Sequence, residues 1–115
     1  MLQALKTALT NISGAKVYHF TAVKATPPYI VWAEDGADDL HLNGVHVEKA
    51  ATGTVDLFTK TENDTLVESI ESALDSVDGV WELNSVQYED ETRTIHMEWI
   101  WEVATDGEND HQGAG

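Results

Sequence analysis

The side chains best suited to chemistry are five histidines, His19, His41, His46, His96 and His111, set among 21 acids. There is no cysteine, which excludes disulfides and thiolate metal sites. His41 and His46 fall close to Asp38 and Asp39, and two imidazoles with two carboxylates are the donor types of a divalent-ion site. Their spacing matches no known ligand pattern, and charges in an acidic loop are ordinarily solvated. "EDGADD" and "DGEND" supply calcium-type oxygens without the alternating ligand order and closing glutamate of an EF-hand. On the last apolar segment His96, Glu98 and Glu102 share one side. Two carboxylates four residues apart on a strand are separated by roughly 13 Å, too far to act as an acid–base pair. Trp99 and Trp101 have the surface to stack on a base or sugar, but they alternate with Ile95 and Met97, which assigns them to a core. No P-loop, dinucleotide fingerprint, nucleophile elbow or HExxH is present. Nothing brings a nucleophile, base and oxyanion site together, so neither an enzyme nor a cofactor is expected.

These residues must be positioned by a small set of elements. Leu2, Leu5, Ala8, Leu9 and Ile12 form the apolar stripe of a short helix that Ser13-Gly14 ends, with Gly14 suited to a left-handed backbone. "KVYHF" (16–20) reads as a short strand. The only prolines, Pro27 and Pro28, lead into "YIVWAE" (29–34), and proline is tolerated at the start of a strand but not inside a ladder. They are therefore read as structural and not as a polyproline ligand. The stretch 34–49 is polar and turn-rich, and its Asn43-Gly44 predicts a hairpin turn projecting from the body. In "AATGTVDLFTK" (50–60), Ala51, Gly53, Val55 and Leu57 share one side. Leu66, Val67, Ile70, Ala73, Leu74 and Val77 predict a second helix, capped by Asn63 or Asp64 and stopped by Gly79. "VWELNSVQYE" (80–89) is a strand whose apolar phase slips near Asn84-Ser85, the sign of a bulge. "TRTIHMEWIWEV" (92–103) is the clearest strand, with Ile95, Met97, Trp99, Trp101 and Val103 facing one way. The expected fold is α+β: an antiparallel or mixed sheet of about four main strands, two helices packed on one face, and a projecting hairpin loop. Residues 1–103 form the one domain, and 104–115 a flexible acidic tail.

Charge is distributed unevenly. The first 33 residues carry Lys6, Lys16 and Lys24 and no acid, a charge of +3. The remainder sets all 21 acids against Lys49, Lys60 and Arg93, a charge of −18. Such a surface repels phosphate, which argues against sequence-specific nucleic-acid binding and against anionic membranes. The opening "MLQALKTALTNISGAK" is too short and polar for a signal peptide, and no apolar run approaches the ~20 residues that span a bilayer. A cytoplasmic protein is expected.

Taken in order, the N-terminal helix, "KVYHF", "PPYIVWAE", "VDLFTKTENDTLVESIESAL" and "WELNSVQYEDETRTIHMEWIWEV" resemble the tail-terminator (tail-completion) proteins of long-tailed bacteriophages and prophages, over about residues 2–103. The resemblance implies an α+β structural protein that forms a homo-hexameric ring. The ring ends the tail tube at its head-proximal end in the virion and meets both the tube protein and the head-side connector. The family has no catalytic residues to carry over. On that footing the 34–49 loop, with Asp38, Asp39, His41, Asn43 and His46, is the expected arm toward a neighbour or the tube. Glu68, Glu71 and Asp75 are the expected acidic lining of a channel through which DNA passes without binding. Two other readings stand beside it: a head-closure ring, and a small acidic DNA mimic that binds a basic enzyme.

Overall fold

The computed structural model describes residues 2–42 and 46–104, with the backbone alone described over 37–42 and 46–49. Two helices, α1 (Leu2–Thr10) and α2 (Leu66–Asp75), accompany five strands. These are β1 (Lys16–His19), β2 (Tyr29–Leu42), β3 (His46–Thr59), β4 (Gly79–Glu89) and β5 (Thr94–Ala104). One sheet runs in the order β1-β2-β3-β5-β4. Only the β1–β2 pair is parallel; the other three are antiparallel. The fold is the expected α+β class, with five strands where about four were expected, because "KVYH" joins the sheet as a full edge strand.

Register explains the core. Ile30 and Trp32 of β2 lie opposite Leu57 and Val55 of β3, which lie opposite Met97 and Trp99 of β5. Side chains alternate faces along a strand, so this register gathers the apolar set on one side. The same buried cluster takes Leu5 and Leu9 from α1 and Leu66, Ile70, Ala73 and Leu74 from α2. Each such leucine or isoleucine stabilises the fold by about 1.5–3 kcal/mol relative to leaving it in water. No helix among the described residues is long and apolar enough to cross a membrane.

Several local expectations are corrected. The stretch 34–49 is the expected hairpin, but its sides are strand and not loop: β2 continues to Leu42, β3 begins at His46, and their pairing runs from Leu42↔His46 inward. β5 joins β3 only from Ala50↔Ala104, so beyond that point the hairpin is two strands wide among the described residues. Polar residues tolerate this pairing because neither face of a two-stranded arm need be buried. The Asn43-Gly44 turn and the tail beyond Ala104 lie outside the described residues. Gly79 does not stop α2. The helix ends at Ser76, and Gly79 opens β4, where a Cβ would lie 2.2 Å from the Glu102 carbonyl oxygen. Thr65, not Asn63 or Asp64, occupies the N-cap position and makes no side-chain cap bond. Asp64 does the work from one residue earlier. Its Oδ1 accepts the Leu66 N–H at 2.9 Å and its Oδ2 accepts the buried Thr59 hydroxyl at 2.6 Å, which ties the end of β3 to the start of α2. Gly14 has φ +96, and Pro27-Pro28 directly precede β2, both as expected.

The expected bulge is present, between Leu83 and Ser85 of β4. It resets the phase so that Trp81, Leu83, Val86 and Tyr88 all lie opposite the core-side residues Trp101, Trp99, Met97 and Ile95 of β5. An unbroken alternation would have sent Val86 and Tyr88 to the other face.

Candidate interaction surfaces

Four surfaces hold the residues on which a function can rest. The first is the acidic stripe of α2. Glu68, Glu71 and Asp75 follow at i, i+3 and i+7, so they share a side of the helix. Glu68, in the first turn, is exposed and favourably placed against the helix dipole. Glu71 is half-buried and its Oε2 accepts the Trp99 indole N–H at 3.0 Å. Asp75 accepts the Trp81 indole N–H at 2.8 Å. Two of the three carboxylates thus also anchor the helix to the sheet.

The second is the face of the sheet opposite the core. Asp56 and Glu98 are direct cross-strand partners, and the His96 Nε2 lies 2.8 Å from Asp56 Oδ1. Asn84 donates to Glu98 Oε1 at 2.9 Å. The His96 ring stacks on Phe58, which stacks on Tyr29, with centroids 4.2 and 4.7 Å apart. Trp99 and Trp101 are buried on the other face, so they offer no open stacking platform. Sequence reasoning set Glu98 against Glu102 and missed Asp56, which comes from another strand. The period of "VDLF" put Asp56 off the core face, but the cross-strand register was the missing information.

Burial raises the Asp56 carboxyl above its ordinary value, offset in part by its hydrogen bond with His96 and reinforced by the charge of Glu98. A carboxyl that holds its proton more readily folded than unfolded makes stability fall as pH rises from the ordinary carboxylate range through the folded value. Asp56→Asn removes this dependence while leaving an oxygen for His96. The variant should be more stable than the parent at pH 7 by up to about 1 kcal/mol, the scale of a like-charge cross-strand pair. The gain should vanish below about pH 4. Urea midpoints across that range read it directly. A variant less stable at pH 7 would show that the charged His96–Asp56 contact outweighs the repulsion.

The third surface is the β4 edge. Among the described residues β4 pairs with β5 alone, so one row of its backbone groups faces outward. Val80, Leu83, Val86 and Tyr88 are 68, 42, 57 and 59% exposed. Leu83, Val86 and Tyr88 continue the core side of the sheet past the cover that α2 provides. A shallow groove there is lined by Val67, Glu68, Val86, Ile95 and Met97. The fourth is the opposite edge, β1 with the connection to β2. Phe20 and Val23 are exposed there beside Lys16 and Lys24. Phe20 holds φ +75 and Lys24 φ +56, a backbone region that bulky residues enter rarely. His19 is sandwiched between Phe20 and Trp32, with its Nε2 2.5 Å from Glu34 Oε1.

Asp38, Asp39, His41 and His46 lie on the paired strands of the arm, but their side chains, and Asn43 altogether, fall outside the described residues. Among the described residues no group of three or more His, Asp or Glu side chains converges to hold a metal ion. No protein-family model matches the chain, and no curated protein is significantly similar to it.

Proposed function

We propose that the chain is a structural subunit of a ring that terminates a phage tail tube and joins it to the head-side connector. The observation that carries this reading is the pair of sheet edges left uncovered among the described residues. Leu83, Val86 and Tyr88 on β4, and Phe20 and Val23 beside β1, leave large apolar side chains in water at both ends of one small sheet. Contiguous exposed apolar surface marks a protein–protein contact. A subunit with a sticky patch at each end builds rings when the repeated rotation closes. The ordered elements behind the tail-terminator resemblance also recur as α1, β1, β2, β3–α2 and the β4–β5 hairpin. In this reading the β2–β3 arm, with Asp38, Asp39, His41, Asn43 and His46, reaches a neighbour or the tube. The α2 stripe of Glu68, Glu71 and Asp75 faces a channel and repels DNA in transit. The same surfaces suit a head-closure ring; binding to tube ends separates the two.

The decisive experiment adds the purified protein to tubes growing from the cognate tail-tube protein and images them in negative stain. Rings capping one end, with tube length falling as protein is added, are expected. Tubes of unchanged length with bare ends would sink the reading. Capture of a basic enzyme without any ring would instead favour the DNA-mimic reading, whose support is the run of ten acids and no base between Lys60 and Arg93.

A further inference from the structure

The lopsided charge of the sequence becomes a spatial fact in the fold. The basic, acid-free first 33 residues build α1, β1 and the start of β2, so they sit at one end of the sheet. The strand at the other end, β4, and its flanks carry Asp78, Glu82, Glu89, Asp90 and Glu91 with no base before Arg93. Four strand spacings separate the two edges, about 19 Å. Each edge therefore has outward backbone groups that no described strand pairs and exposed large apolar side chains, and each is dominated by one sign of charge, the exceptions being Glu34 against His19 at the β1 edge and Lys60 and Arg93 beside Tyr88 at the β4 edge. The dominant signs are opposite.

We infer that the two edges are the two halves of one self-interface, in which the β4 edge of one copy docks on the β1 edge and β1–β2 connection of the next. The occupant follows from charge. A second β4 edge would set the acids Glu82 and Glu89 against the same acids, and a second β1 edge would set lysine against lysine. Only the heterologous pairing brings acids to Lys16 and Lys24, steering the encounter and fixing its direction. The apolar centre is Leu83, Val86 and Tyr88 from one side and Phe20 and Val23 from the other, an aromatic-containing core with a charged rim. Strand direction allows it. β4 runs antiparallel to β5 and β3 antiparallel to both β5 and β2, so β4 and β1 of successive copies meet antiparallel and can extend the sheet. Phe20, held exposed at φ +75, is the side chain that this contact would cover. The inference rests on the ring reading for the copy that fills the edges, and it adds which residues meet.

The chain has no cysteine, so introduced thiols report without background. Val23→Cys and Val86→Cys replace well-exposed side chains and should leave the far-UV spectrum unchanged. With a short bis-maleimide, a mixture of the two single variants should give covalent dimers containing one of each. Either variant alone should stay monomeric on a denaturing gel. The double variant should give a ladder of multimers. A Lys16→Glu/Lys24→Glu variant should self-associate at least about tenfold more weakly at low salt. Adding a Glu82→Lys/Glu89→Lys variant to it should restore assembly. Dimers from Val86→Cys alone, or a parent chain that stays monomeric at every concentration, would overturn the inference. Tube-capping rings that the charge reversals leave intact would overturn it while sparing the ring reading. Cross-linked ladders from a protein that never binds tube ends would support it while removing the tail assignment.

Discussion

Gly53→Ala is expected to lower stability by roughly 3 kcal/mol, a large share of the total for a domain of this size. The reason is contact on two sides at once. A Cβ at position 53 would stand 2.1 Å from the Ala33 carbonyl oxygen and 2.3 Å from Cζ2 of Trp101. The first is backbone of β2, held in register by its ladder with β3. The second is an indole that is 3% exposed and cannot swing into solvent. Among the described residues its Nε1 finds no hydrogen-bond partner, so packing holds the ring over the space that glycine leaves. Relief requires moving a strand or displacing the ring from the core. Gly36→Ala is the control. There the nearest atom is the Thr52 hydroxyl oxygen at 3.2 Å, and a change within about 0.5 kcal/mol is expected. Urea unfolding of both variants checks the pair. Equal midpoints would show that the Trp101 ring does not rest on Gly53.

That contact also marks where sequence reading stopped. The period-two run Ala51, Gly53, Val55, Leu57 is legible because alternation is a property of one strand, and all four residues are buried. The reason position 53 must be glycine is not legible, because it lies in Ala33 and Trp101, which register alone brings there. The same division holds elsewhere. The phase slip at Asn84-Ser85 announced a bulge. Its consequence, Val86 and Tyr88 turned to the core side beyond the helix, needed the pairing with β5. In the 34–49 segment Asn43-Gly44 announced the hairpin, but a loop-like composition hid how far strand runs along its two sides. Pairing across a hairpin is decided by the two strands together, and polar residues are tolerated where no third layer covers them.

The candidate surfaces divide along the same line. Charge asymmetry could be counted in the sequence, but only the strand order β1-β2-β3-β5-β4 places its two signs at opposite edges. The α2 stripe followed from helical spacing. That two of its carboxylates hold indole N–H groups did not, since Trp81 and Trp99 reach α2 from the sheet. Asp56 was overlooked for a related reason: its partners His96 and Glu98 are forty residues on in the chain, a separation no local pattern spans.

Trp99→Ala is expected to cost about 3–5 kcal/mol, the range for deleting a large buried aromatic side chain. Trp99 is fully buried, opposite Val55 on one side and Leu83 on the other, and its indole reaches α2. The loss has two parts, a cavity beneath the helix and a broken bond to Glu71 at 3.0 Å. Trp99→Phe keeps most of the volume and removes the N–H. A double-mutant cycle of Trp99→Phe with Glu71→Leu then isolates the bond, whose coupling should be roughly 1.5–3 kcal/mol for a donor paired with a charge. Glu71→Gln, which retains an acceptor, should cost less than Glu71→Leu. The cycle bears on the channel as well as on the fold. A carboxylate held by the core has a fixed position, and a fixed row of charge along α2 repels a passing polyanion at no further ordering cost. Coupling near zero would mean that Glu71 swings in solvent, and the wall of negative charge would then reduce to Glu68 and Asp75.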